Sequence, residues 1–178
     1  MGFFSQKLSK IQPSPTISIS EKAKNLKEQG KNIINFSAGE PDFDTPDNIK
    51  NAGIKAIKDG YTKYTPVNGS KELRSAIVRK FKNENNLNFS IDEITVGCGG
   101  KQVIYNAFLA SIDKGDEIII PSPYWVSYPD IALLVEAEPK VLECSLENNF
   151  KINPQDLENC ITNKTKWLIL NSPSNPSG

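Results

Sequence analysis

A chain of 178 residues is long enough for one domain with a sizeable core, and its 38% hydrophobic and 24% charged content is ordinary for a soluble globular protein. Lys plus Arg equals Asp plus Glu at 21 each, which removes the electrostatic footprint of a DNA, RNA or anionic-membrane binder. With no histidine, His-dependent triads, His-ligated metals and histidine acid/base chemistry are excluded from this stretch.

Met1–Lys7 lacks the apolar run of a signal peptide, Gly2 is only a faint myristoylation match, and nothing approaches the ~20 apolar residues of a membrane span. Cys98, Cys144 and Cys160 show no Cys-x-x-Cys spacing and read as small buried hydrophobes in a reducing compartment. The expectation is a cytoplasmic protein without a metal site and without a nucleic-acid or membrane partner.

In chain order, residues 1–16 read as an extended polar arm, with prolines at 13 and 15. Ile17–Gln29 predicts a helix ended by Gly30, and Asn32–Phe36 a short strand. The loop Ser37-Ala38-Gly39-Glu40-Pro41-Asp42-Phe43 follows. Thr45-Pro46-Asp47 reads as a helix start, with a cap, a proline at N1 and an acid in the first turn; that helix should run to Gly60. After a turn-rich loop over Tyr61–Gly69, Ser70 should cap a helix whose Leu73, Ala76, Ile77 and Phe81 share one face.

Glu93–Gly97 predicts a strand, Cys98-Gly99-Gly100 a turn, and Lys101–Ile112 a helix. Glu117–Ile120 reads as a strand, 122–125 as a loop and 127–136 as a helix. Lys140–Cys144 is the next predicted strand, Asn153-Pro154 starts a short helix, and Trp167–Leu170 is the last strand. Strands alternating with helices at short spacing predict an α/β fold, a mainly parallel sheet with helices on both faces. A boundary near residue 45 separates an arm and edge element (1–45) from the regular alternation (46–178).

Four constellations carry chemistry. Gly97-Cys98-Gly99-Gly100 between strand and helix is either a phosphate cradle or a plain tight turn; it matches neither Walker A nor Gly-x-Gly-x-x-Gly. Trp125, in Pro121-Ser122-Pro123-Tyr124-Trp125-Val126-Ser127-Tyr128-Pro129, either stacks on a flat cofactor or packs over the sheet edge. Gly39 offers backbone N–H to a carboxylate, while Glu40 and Asp42 read as solvated or capping acids. At the carboxyl end of the last strand, Asn171-Ser172-Pro173-Ser174-Asn175-Pro176-Ser177-Gly178 is a stiff turn that would fix the direction of an Asn amide, at the edge where α/β sheets bind ligands. A cradle, a flat aromatic and an amide at one sheet edge suit a planar aromatic cofactor bearing a phosphate.

These motifs, with Lys63-Tyr64-Thr65-Pro66 and Gly99-Gly100-Lys101-Gln102, occur in the family's order. The chain resembles the class I pyridoxal-phosphate aminotransferases, most closely the bacterial aspartate aminotransferases, along essentially its whole length. The resemblance implies the type I pyridoxal-phosphate transferase fold, residues 1–45 as arm and part of a small domain, and 46–178 as the first part of the large domain. It implies pyridoxal 5'-phosphate as cofactor, an amino acid such as aspartate and a 2-oxo acid as substrates, and a homodimer.

Backbone groups of Gly99, Gly100 and Lys101 would hold the phosphate, Trp125 would stack on the ring, and Asn175 would bond its phenolic oxygen. Gly39, with Trp125 and Asn175, would bind substrate. Tyr64 would reach the partner's phosphate, and Thr16 would lie in the arm visiting the partner's pocket. Ser177 stands where the motif usually has Thr, and Gln12 where members accepting prephenate tend to carry a basic residue. The Schiff-base lysine, the aspartate on the pyridine nitrogen and the carboxylate-clamping arginine would follow Gly178. The expectation is therefore an N-terminal fragment, without catalytic residues of its own, that does not transaminate alone. The alternatives are a class I enzyme of another specificity and a non-catalytic fragment binding a phosphorylated ligand.

Overall fold

Capping and apolar spacing account for the helices of the first part of the chain, seen in a computed structural model that describes residues 3–37 and 39–178. Met1 and Gly2, and Ala38 of the Ser37–Phe43 motif, lie outside the described residues. Helix α1 spans Pro15–Glu28, with Gly30 beyond its end at φ +80°. The arm expected over residues 1–16 is therefore not wholly extended: Gln6–Lys10 forms a 3-10 turn, and Pro15 opens the helix, where its missing N–H costs nothing. Helix α2 covers Asp47–Lys58; its cap is Pro46, with no side-chain bond, so the capping role expected of Thr45 falls one residue later. In α3, Lys71–Asn85, the Ser70 hydroxyl accepts the Leu73 N–H at 3.3 Å, and Asn86 closes the helix in the left-handed region.

Two expected strands are absent. Asn32–Phe36 and Glu93–Gly97 form no ladder, and Ile91–Glu93 is a 3-10 turn. Extended backbone becomes a strand only when a neighbour takes its N–H and C=O groups. The Val96 N–H goes to the Asn68 carbonyl at 3.1 Å, which ties this segment to the loop before α3 rather than to a sheet.

The second part of the chain alternates regularly. Helix α4, Gly100–Ser111, is followed by strand β1 (Glu117–Pro121), helix α5 (Ser127–Leu134), strand β2 (Glu138–Leu142), helix α6 (Pro154–Cys160) and strand β3 (Thr165–Leu168). β2 and β3 begin two residues earlier than their apolar runs suggest. All pairings are parallel, in the order β2-β1-β3, with Ile119 opposite Lys140 on one side and Leu168 on the other.

The backbone gathers into two compact units: the segment up to Pro15 with Gly99–Gly178, and Thr16–Cys98. In the first, Ile118, Ile119 and Ile120 of the central strand are fully buried. Successive side chains face opposite sides of a strand, so β1 is covered on both faces. Ile118 and Ile120 pack with Phe108 of α4 and Tyr128, Ile131 and Ala132 of α5. Burying each isoleucine contributes about 1.5–3 kcal/mol. The 3-10 turn joins this unit through a Lys7–Glu136 ion pair of 2.8 Å. In the second unit Ala23 and Ile94 are the buried hydrophobics among the described residues, with Phe81 edge-on to Phe89 at 5.2 Å.

Candidate active site

The turn into α4 is shaped by Gly99, which caps the helix at φ +86°, ψ 161°, a conformation that side chains disfavour. A Cβ built on Gly99 or Gly100 would meet no atom within 4 Å, so the ground before the turn is open. The first-turn N–H groups of a helix lack intrahelical acceptors, and no acidic residue stands in this first turn to offset its positive end. The arrangement can receive an anion.

Trp125 follows the carboxyl end of β1. Its ring meets Tyr128 edge-to-face at 5.4 Å, and the Tyr128 N–H donates to the Trp125 carbonyl at 3.0 Å. The Lys101 ammonium lies 5.0 Å from the centre of the same indole. Trp125 thus packs at the sheet edge and also meets the side chain of Lys101 from the helix turn. Sequence reasoning missed the Lys101 side-chain contact, because it assigns a role only to the backbone of that residue.

At the end of neighbouring β3, the Asn171 carboxamide oxygen accepts the Asn175 N–H at 2.9 Å, and the Gly178 N–H donates to the Ser174 carbonyl at 2.8 Å. The Asn175 side chain is exposed. A cavity of about 110 Å³ opens between the ends of β1 and β3, lined by Tyr124, Tyr128, Asn171, Ser174 and Ser177 among others, though not by Trp125 or Asn175. Because β1 and β3 are parallel neighbours, Trp125 and Asn175 follow the same edge of the sheet.

Cys144 lines no part of this cavity; it is buried, and burial pushes its thiol above the usual value, whereas Cys98, expected to be buried, is exposed. Gly39 and Tyr64 belong to the Thr16–Cys98 unit, where Gly39 lies in an open loop and Tyr64 is fully exposed. Thr16 is half-buried in the first turn of α1. The structure therefore joins Lys101 to Trp125 by contact, sets Gly99 and Gly100 in the same turn, and aligns Asn175 with them by topology.

The profile of the family described as "Aminotransferase class I and II" matches residues 31–178. The chain belongs to the class I and II aminotransferase family. It is 59% identical over all 178 residues to a probable aspartate/prephenate aminotransferase of Rickettsia conorii, of which it covers 44%. It is 55% identical over 174 residues to an aspartate/prephenate aminotransferase of Nitrosomonas europaea, again covering 44% of that protein.

Among solved structures, the aspartate aminotransferase of Thermus thermophilus with maleate superposes with a TM-score of 0.95 at 41% identity, over 99% of this chain and 46% of that one. The aspartate aminotransferase of Rhizobium meliloti gives 0.92 at 46% identity, over 98% and 44%. The fold is thus that of the aspartate aminotransferases, as the resemblance implied. The chain spans less than half the length of these relatives. Among the described residues no helix is long and apolar enough to cross a membrane.

Proposed function

We propose that this chain is the N-terminal part of a pyridoxal-phosphate-dependent aminotransferase that moves an amino group from aspartate, or a similar L-amino acid, to a 2-oxo acid. The observation that carries the reading is the joining of an anion-receiving glycine turn to the Trp125 indole through Lys101, in a member of this family. The donor set suits the cofactor: open backbone N–H groups and an ammonium for a phosphate, and an aromatic face for a pyridine ring.

Gly99, Gly100 and Lys101 would hold the phosphate, Trp125 the ring and Asn175 its phenolic oxygen, while Gly39, with Trp125 and Asn175, would orient the substrate. The cofactor supplies an electron sink for bonds at the amino acid's α-carbon. The covalent anchor and the acid/base group are assigned to the rest of the longer protein, consistent with the 44% of the Rickettsia conorii protein that this chain covers. Residues 1–45 are assigned to the arm and small domain and 46–178 to the large one. The working protein is read as a cytoplasmic homodimer in which Tyr64 and the Thr16 arm serve the partner's site.

Prephenate as a second amino acceptor is supported by the names of the Rickettsia conorii and Nitrosomonas europaea relatives. The uncharged Gln12 speaks against it, because those members tend to carry a basic residue there. The test is the full-length protein, incubated with pyridoxal phosphate, aspartate and either 2-oxoglutarate or prephenate. Transfer to 2-oxoglutarate is the expected result; no retained cofactor and no transfer to either acceptor would sink the reading.

A further inference from the structure

Asn68-Gly69 is the single Asn-Gly pair in the chain. With no side chain on the glycine, its backbone nitrogen is unshielded and can attack the carboxamide before it, which makes this pairing the one most prone to lose the amide. The fold requires that glycine nonetheless. Gly69 stands at φ +99°, and a Cβ there would lie 2.9 Å from Val96 Cγ2. The same fold restrains the peptide unit that the reaction must use. The Gly69 N–H donates to the Pro66 carbonyl at 2.9 Å, and the Asn68 carbonyl accepts the Val96 N–H at 3.1 Å. Both polar ends of one peptide group are thus bonded. Asn68 and Gly69 are half-buried, whereas residues 61–67 before them are exposed.

We propose that Asn68 is a self-modification site gated by the fold: it deamidates when the 61–69 loop opens, and the product keeps the loop from closing again. In the open loop the Gly69 nitrogen gives its proton to water and bonds to the Asn68 side-chain carbonyl carbon. The bond from that carbon to the amide nitrogen breaks, ammonia leaves carrying a proton, and a cyclic imide remains. Water then opens the ring at either carbonyl. One opening leaves an aspartyl residue, the other an isoaspartyl residue whose main chain runs through the former side chain. In the closed loop the attack is held back, because the Gly69 N–H must first leave Pro66 and the peptide must turn away from Val96. An isoaspartyl backbone no longer offers its carbonyl and N–H at the spacing that meets Val96 and Pro66. Both products also place a carboxylate in half-buried ground. The rate of conversion therefore follows the fraction of time the loop stands open.

The test ages the full-length protein at mildly alkaline pH, once native and once in guanidinium. The peptide containing Asn68 is followed by mass spectrometry, and its isoaspartyl form by enzymatic methylation. The native rate should lie about tenfold or more below the rate in guanidinium. Val96→Ala relieves the close packing on Gly69, so it should raise the native rate and leave the denatured rate unchanged. Trypsin should cut after Lys63 faster in aged protein than in fresh, and Asn68→Ser should abolish that difference. Equal native and denatured rates, no conversion in guanidinium, or a native rate that Val96→Ala leaves unmoved would overturn the gated site. Equal cleavage of fresh and aged protein, with Asn68 converted, would overturn the claim that the product holds the loop open.

Discussion

Trp125 holds two relations at once, an edge-on contact with Tyr128 behind it and the Lys101 ammonium across its ring. Replacing it by alanine removes the stacking surface and part of the packing. In the full-length protein Trp125→Ala should weaken pyridoxal phosphate binding about tenfold, measured by dialysis, and Trp125→Phe should weaken it less. At the opposite end of the same strand, Glu117 enters the sheet at 5% exposure. Its carboxylate accepts the Thr162 hydroxyl at 2.6 Å and the Thr165 hydroxyl at 3.3 Å, and pairs with Lys140 at 3.4 Å. The Thr162 hydroxyl chiefly, then Lys140 and Thr165, hold this carboxyl below its ordinary 4.5 against the opposing effect of burial. A lowered folded value means the clasp's full stabilisation is present above the unfolded carboxyl's range and is lost as pH falls through the folded value. Acid titration of thermal stability should show that loss below about pH 4.5, and Glu117→Gln should flatten it. An unchanged acid limb in Glu117→Gln would count against the clasp.

Among the elements, helices were legible and lone strands were not. Ser70 and its 3.3 Å bond, the apolar face of α3, and the Asn153 cap of α6 at 2.8 Å are local devices, so their residues announce them. The Glu93–Gly97 expectation failed because an extended run carries no information about whether a partner strand lies beside it. What holds this segment is a loop: Asn68 accepts from Val96, and Gly69, at φ +99°, lets the chains approach so closely that a Cβ there would stand 2.9 Å from Val96 Cγ2. Gly69→Ala meets both the positive φ and the clash. It should cost about 1–3 kcal/mol in urea denaturation, whereas a substitution at open Gly53 should cost far less.

For the whole molecule, stability is uneven between the two units. The sheet-bearing unit has three fully buried isoleucines on one strand, while the Thr16–Cys98 unit leaves Ile34, Phe36, Ile49 and Ile57 exposed. Ile118→Ala should therefore destabilise by about 2–5 kcal/mol, seen as an earlier denaturation midpoint, because both the buried methylenes and the cavity count. The comparable change at Ile57, 69% exposed, should fall within about 0.5 kcal/mol. Equal effects at the two sites would mean that the sheet is not the stabilising core.

The sequence by itself determined the helices, the α/β alternation, the glycine turn, the aromatic and the Asn turn, because each rests on residues a few positions apart. Ordered motifs carried the family as well, since five of them in one succession are specific where each alone is not. Tertiary structure decided what depends on distant neighbours: the strand order β2-β1-β3, the absence of ladders at 32–36 and 93–97, and the charged clasp on Glu117. It also decided that Lys101 meets Trp125 across 24 positions of chain, a contact set by how α4 packs beside the end of β1. Spacing along a chain records hydrogen bonds within a turn or a helix; contacts between elements follow from which apolar faces bury one another.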